Sequence, residues 1–338
     1  MSSAAPTAVS EKRGRVAWLD LFRGAAVLAM IETHVANTFL APGLREAAWF
    51  GWLNWGNGLV APAFLFIAGY ALGMGWRVNA MKPVALARKT KRLLGVAALG
   101  YALHFPFTEL GQHRWAGALR TGTQVDVLPC LAVTLLGVLG VQGLAGMLTE
   151  KWRRGAGLAA LFGLGSAVVW LAPASAAWSV GAVPLDAFLN DRTGSLFPLF
   201  PWAAFVFCGV LAGSYATPQM GWMLVAAGVV KGGALPADDG AFSALSPVFF
   251  CDRLAGVLAL AALGHWVARG WKPGGVLLAG RESLVMYAAH LVVIEWAAWA
   301  GVPRGGLGLG GTALVFAAVL GLTLAVALGK ARWTTRMT

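Results

Sequence analysis

Apolar segments fit to span a bilayer succeed one another along most of this chain, and the first of them, Val16 to Leu40, carries Asp20, Arg23, Glu32 and His34. A membrane-crossing helix needs about 20 apolar residues. An ionisable group placed in hydrocarbon costs about 3 kcal/mol on insertion scales. Four such groups in one segment therefore predict a helix that turns them toward a protein-lined or wet interior. The composition, 58% hydrophobic and 12% charged, is that of a helical membrane protein rather than a soluble domain. The 45 glycines and 16 tryptophans suit close helix packing and interfacial belts.

The fold class read from this pattern is all-α, a polytopic bundle of about ten spans. The expected spans are Val16 to Leu40, Gly58 to Trp76, Leu93 to Leu110, Val125 to Leu148, Gly157 to Ala174, Leu196 to Ala216, Trp222 to Leu235, Pro247 to Ala268, Gly275 to Val302 and Gly308 to Leu328. The seventh is short and glycine-rich, as a tilted or re-entrant segment would be. The ninth is long and charged at its start, so its first turns are expected in the interface. Residues 1–15 read as a disordered basic N-terminus, 16–329 as one membrane domain and 330–338 as a tail. No removable signal peptide is expected.

Loop charge gives an orientation. Basic residues crowd the N-terminus (Lys12, Arg13, Arg15), the second loop (Arg77, Lys82, Arg88, Lys89, Lys91, Arg92), the fourth (Lys151, Arg153, Arg154), the eighth (Arg269, Lys272, Arg281) and the tail (Lys330, Arg332, Arg336). The opposite loops hold fewer, so both termini are expected in the cytoplasm of a cell whose inner membrane carries the protein. The net charge of +12 then reports topology, and no nucleic-acid partner is expected. Cys130, Cys208 and Cys251 fall inside expected spans without metal-ligand spacing, so they read as packing residues and no metal site is expected.

On this orientation His34, Glu109, His113, Asp126, Asp252 and Arg253 lie in the outer half, and Asp20 and Arg23 in the inner half. Arg23 and His34 are eleven helical steps apart, within about 20° of one face and about 16 Å along the axis. An arginine suits phosphate recognition. An imidazole can accept a proton from a hydroxyl or amine, or carry an acyl group itself. Asp20 and Arg23, three residues apart, also fit a local ion pair. Glu32 is about 160° around the helix from His34, which leaves Asp126, Asp252 or another residue to orient the ring. Ser283 and His290, with Tyr287 between, form a polar stripe that suits either an interhelical seam or a pocket lining. The second-loop cluster fits topology retention and anionic lipid attraction as well as donor phosphates.

The string LDLFRGAAVLAMIETH, Leu19 to His34, resembles the opening helix of the heparan-α-glucosaminide N-acetyltransferase-like bacterial membrane proteins, and its Arg-x10-His spacing is similar to the wider membrane acyltransferase-3 superfamily. APAFLFIAG (Ala61 to Gly69), DVLPCLA (Asp126 to Ala132), FPLFPW (Phe197 to Trp202) and GRESLVMYAAH (Gly280 to His290) resemble further family blocks in order. The lysosomal branch has a histidine in its first lumenal loop, whereas this chain has none between Val35 and Asn57, so His34 is the candidate here.

The resemblance implies acetyl-CoA or another acyl-CoA as donor and an extracytoplasmic carbohydrate amine or hydroxyl as acceptor. The expected catalytic residues are His34, Asp126 and Asp252. Arg23, Arg88, Arg92 and Ser283 are the expected donor-binding residues, and Asn57, Arg253 and His290 the acceptor-binding ones. Membrane lipids are expected partners, and homo-oligomerisation stays open. A small-molecule transporter or channel is the alternative, though no repeat or paired broken helices mark such a fold.

Overall fold

The computed structural model describes residues 16–76, 83–215, 220–233 and 243–337. The expected N-terminal segment, and Arg77 and Lys82 of the second loop, lie outside these. The described residues fold as helices, and their one extended pairing is an isolated bridge between Leu40 and Leu307. A helix satisfies its backbone within its own segment, which is what apolar surroundings require.

The first helix, α1 (Ala17–Phe39), runs into two short ones, α2 (Pro42–Arg45) and α3 (Ala48–Asn57), and then α4 (Val60–Met74). Next come α5 (Pro83–Leu103), the short α6 (Phe107–Gly111) and α7 (Trp115–Thr123), then the long α8 (Val127–Gly146) and α9 (Glu150–Ser175). After α10 (Val183–Leu189) follow α11 (Leu199–Ser214), α12 (Met220–Gly233) and α13 (Pro247–Gly270). The chain ends in α14 (Gly274–Arg281), α15 (Ser283–Trp299) and α16 (Leu309–Met337). Ser246 caps α13 by accepting the Val248 amide at 3.1 Å, with Pro247 in the first turn where its missing N–H costs nothing.

Helices lie where each of the ten apolar segments was expected, but the count of about ten spans is not reproduced. Among the described residues five helical stretches are long and apolar enough to cross a membrane: Ala48–Met74, Val127–Gly146, Glu150–Ser175, Pro247–Gly270 and Leu309–Arg336. A sixth is gained if α14 and α15, which meet at 91°, form one broken span. The shortfall has visible causes. Asp20, Arg23 and Glu32 interrupt α1, basic residues fill the first turns of α5, and α11 and α12 are shorter than a bilayer is thick.

Two close helix contacts organise the bundle. On α4 and α11, a Cβ added at Gly69 would sit 2.1 Å from the Val206 carbonyl oxygen and one at Gly73 2.3 Å from that of Val210. In return, a Cβ at Gly209 would meet the Phe66 oxygen at 2.0 Å and one at Gly213 the Tyr70 oxygen at 2.2 Å. Two Gly-x3-Gly faces thus pack against each other, and their residue numbers rise together, so α4 and α11 run parallel. The α1–α14 contact is tied the same way, by Gly24 against Val276 and Gly280 against Asp20. At its far end α1 is held by the segment before α16. Leu307 donates its amide to Phe39 O, Ala41 donates to Leu307 O and Gly305 to Thr38 O, each at 2.9 Å.

Candidate active site

His34 lies on the last two turns of α1, below this backbone clasp. Its Nδ1 is 3.0 Å from the Met30 carbonyl oxygen, one turn back, and 3.1 Å from Nε2 of His290 on α15. His290 is fully buried, and its own Nδ1 lies 3.0 Å from the Met286 carbonyl oxygen. These partners assign the tautomers, because a carbonyl only accepts. His290 carries its proton on Nδ1 and presents a lone pair at Nε2. His34 therefore carries its proton on Nδ1, shared between Met30 O and His290 Nε2. The His34 Nε2 is left as a lone-pair site, the form that a general base or nucleophile requires.

Tyr287, three residues before His290, stands edge-on to it, with ring centroids 5.7 Å apart at 78°. Its hydroxyl donates to the carboxylate of Asp126, and His104 Nε2 lies 3.9 Å from the same Asp126 oxygen. Tyr287 also lines a cavity of about 390 Å³ between α1, α4, α5, α8 and α15. Polar side chains on its wall are Arg23, Lys89, Arg92 and Ser283, and much of the remainder is aliphatic, including Leu93, Val96 and Leu131. Arg23 and His34 sit about 16 Å apart along α1; Arg23 lines the cavity, and Tyr287 on its wall stands against His290 of the histidine pair.

Of the expected donor-binding residues, Arg23, Arg92 and Ser283 share this cavity, while Arg88 is exposed and stands outside its lining. Lys89 takes part instead. The expected Asp20–Arg23 pair is replaced by a longer-range one: the Asp20 carboxylate is met by Arg281 Nε at 3.3 Å, and the next residue, Glu282, is paired with Lys330 of α16. Both sides of the α14–α15 bend are thereby tied to neighbouring helices.

The expected catalytic trio separates. Asp126 joins the histidines through Tyr287, whereas Asp252 is bound by Lys231 of α12 and lies 4.0 Å from Arg253 Nε. Position on α13 explains this, since Asp252 faces α12 rather than α1. Arg253 donates to the Trp55 carbonyl at 2.7 Å and lies against the Trp55 and Phe249 rings. Asn57 lies beside the Glu32 side chain, on the other face of α1 from His34. His290, expected to contact the acceptor, contacts His34. Tyr287 and Lys89 were expected only as members of the polar stripe and of the second-loop cluster, without an assigned role, although the four- and three-residue steps from Ser283 to Tyr287 to His290 place all three along one side of a helix. Among the described residues no group of three metal-binding side chains is assembled.

The sequence strings meet in space. Gly280 of one lies on the Asp20 backbone of another, Tyr287 holds Asp126, and the Phe197 amide donates to the Val125 oxygen beside Asp126 at 3.0 Å. Phe66 and Gly69 of the second string face α11. A family model described as heparan-alpha-glucosaminide N-acetyltransferase, catalytic, matches residues 15–231. That stretch contains His34, Arg23, Lys89, Arg92 and Asp126, and it ends before His290, Tyr287 and Ser283. No curated protein matches the chain.

Proposed function

The chain belongs to the heparan-alpha-glucosaminide N-acetyltransferase catalytic family, and from that premise we propose that it moves an acetyl group from cytoplasmic acetyl-CoA to an amine or hydroxyl of a carbohydrate on the other side of the membrane. The observation that carries this reading is the tautomer-fixed pair of His34 and His290 beside a cation-rimmed cavity. The donor phosphates meet Arg23, Lys89 and Arg92, where charge-assisted bonds hold them, and the thioester reaches past Tyr287. His34 Nε2 takes the proton as the acceptor nitrogen or oxygen attacks the thioester carbonyl. The tetrahedral intermediate then collapses with loss of the CoA thiolate, which recovers the proton from His34. The products are the acetylated sugar and free CoA, with no net change at the enzyme. Purified protein given labelled acetyl-CoA and glucosamine or another amino or hydroxyl sugar tests the reading. Labelled acetyl-sugar is the expected product; absence of both transfer and acetyl-CoA binding would overturn it.

We place the membrane domain at 16–329 with both termini cytoplasmic. Loop charge supports the orientation, and parity supports α5 as a crossing. Parallel neighbours that both cross a bilayer need an odd number of crossings between them, and α8 and α9 supply two between α4 and α11. The third is α5, whose 21 residues are long enough and whose basic first turns lie at the cytoplasmic rim. In a cysteine-free background, Gly111→Cys on the exposed α6 end should react with an impermeant external thiol reagent, whereas Thr149→Cys before α9 should be shielded. Reversed labelling would invert the orientation.

Loss of Arg23 should be felt in the donor. Arg23→Ala is expected to weaken acetyl-CoA binding about tenfold or more, and Arg23→Lys to recover it only in part because lysine lacks the planar fork. Calorimetric titration of properly inserted protein checks this, and an unchanged affinity would remove Arg23 from the donor site.

A further inference from the structure

We propose that Tyr287 is a positioning residue of the acyl-transfer site, gripped by Asp126 and acting through His290 on His34; the proposal rests on the acetyl-transfer reading above. Asp126 is the N-cap residue of α8, where an aspartate ordinarily accepts an amide from the first turn of its own helix. Here its side chain makes no such bond. The carboxylate, on a residue only 8% exposed, is turned instead to the Tyr287 hydroxyl. The helix still favours a negative charge at this end, so α8 provides a fixed anion whose partner is a phenol on α15.

That grip has two consequences. With its proton directed at Asp126, the Tyr287 oxygen keeps a lone pair free to accept an N–H from a donor seated in the cavity that Tyr287 lines. Its ring is also held edge-on against His290, the residue that receives the His34 Nδ1 proton. Donor occupancy and base alignment therefore share one side chain. Small misplacements of a base are costly to rate, so a loosened Tyr287 slows turnover more than it weakens donor binding.

Tyr287→Phe keeps the ring and removes the hydroxyl. The expected result is a kcat at least tenfold lower with acetyl-CoA affinity changed less than threefold. Asp126→Ala should behave alike, and Asp126→Asn, whose amide oxygen still accepts the phenol, should recover most of the rate. Because the two residues act as one unit, the double variant Tyr287→Phe with Asp126→Ala should be no slower than the slower single. Multiplying losses, or a wild-type kcat in Tyr287→Phe, would overturn the proposal. A second measurement needs no substrate: carbethoxylation of His34 by diethyl pyrocarbonate, followed by mass spectrometry. Tyr287→Phe and Asp126→Ala should each change its rate several-fold in protein that stays monodisperse in detergent. Unchanged labelling in both would overturn the positioning role whatever the transfer assay gives. A wild-type chain that labels as expected, with both variants altered, but transfers no acetyl group would sink the acetyl-transfer reading and leave the positioning intact.

Discussion

His34→Ala is expected to lower acetyl transfer by about 10² or more, the usual scale for a positioned base, while leaving acetyl-CoA affinity close to that of the parent protein. The reason for the split is distance: on the proposed function, Arg23, which would meet the phosphates, lies about 16 Å along α1 from the ring that would meet the acceptor. His34→Gln separates chemistry from packing. Its amide can still donate toward Met30 O or His290 Nε2, but it has no basic nitrogen. A folded His34→Gln protein with near-native transfer would remove His34 from the chemistry. The tautomer assignment adds a finer expectation, since His290→Gln leaves an oxygen able to accept the His34 Nδ1 proton and should cost less than His290→Leu. Rapid-quench labelling without acceptor then discriminates the two roles of Nε2. Label retained on His34 marks an acyl-enzyme, and its absence marks direct attack in a ternary complex.

How much of this site could be read from the sequence depends on which geometry each residue obeys. The relative placement of Arg23 and His34 was legible because both lie on one helix, where spacing alone fixes angle and rise. The partner of His34 was not, since it arrives 256 residues later on a helix whose neighbours no local period specifies. Sorting by depth put Asp252 beside His34, but depth says nothing of azimuth, and α13 turns Asp252 toward Lys231. Asp20 shows the same limit: its nearest basic residue in sequence is Arg23, yet its ion pair is with Arg281 across the α1–α14 contact. The helical segments themselves were legible from apolar runs. The number that cross a membrane was less so, because α1 and α5 carry several charged residues and the ninth segment bends by 91° at the pair Arg281 and Glu282.

Replacing one glycine by alanine should have opposite effects at two places in this bundle, and the larger is a loss of stability. At Gly137 on α8 nothing lies within 4 Å of an added Cβ. There Gly137→Ala gains helix propensity, about 1 kcal/mol at most, and should raise the apparent Tm in detergent slightly. Gly209→Ala gains the same propensity, but its Cβ would meet the Phe66 carbonyl oxygen at 2.0 Å and the Tyr70 amide nitrogen at 2.9 Å. Both are backbone atoms, so no side chain can rotate away, and α4 must move off α11. Overpacking a fitted contact costs about 1–3 kcal/mol and at times more. Here it also separates the other three glycines of the contact, whose association depends on close van der Waals approach in a medium that offers no hydrophobic drive between helices. Gly209→Ala should therefore lower Tm by several degrees or more, and Gly209→Val should prevent recovery of monodisperse protein. Phe64, Ile67 and Ala68, which line the cavity proposed to hold the donor, ride on α4, so any Gly209→Ala protein that survives should bind acetyl-CoA more weakly even though Gly209 lies outside the cavity. An unchanged Tm for Gly209→Ala would mean that α4 and α11 are not packed backbone to backbone, and the parallel alignment on which the crossing parity rests would go with it.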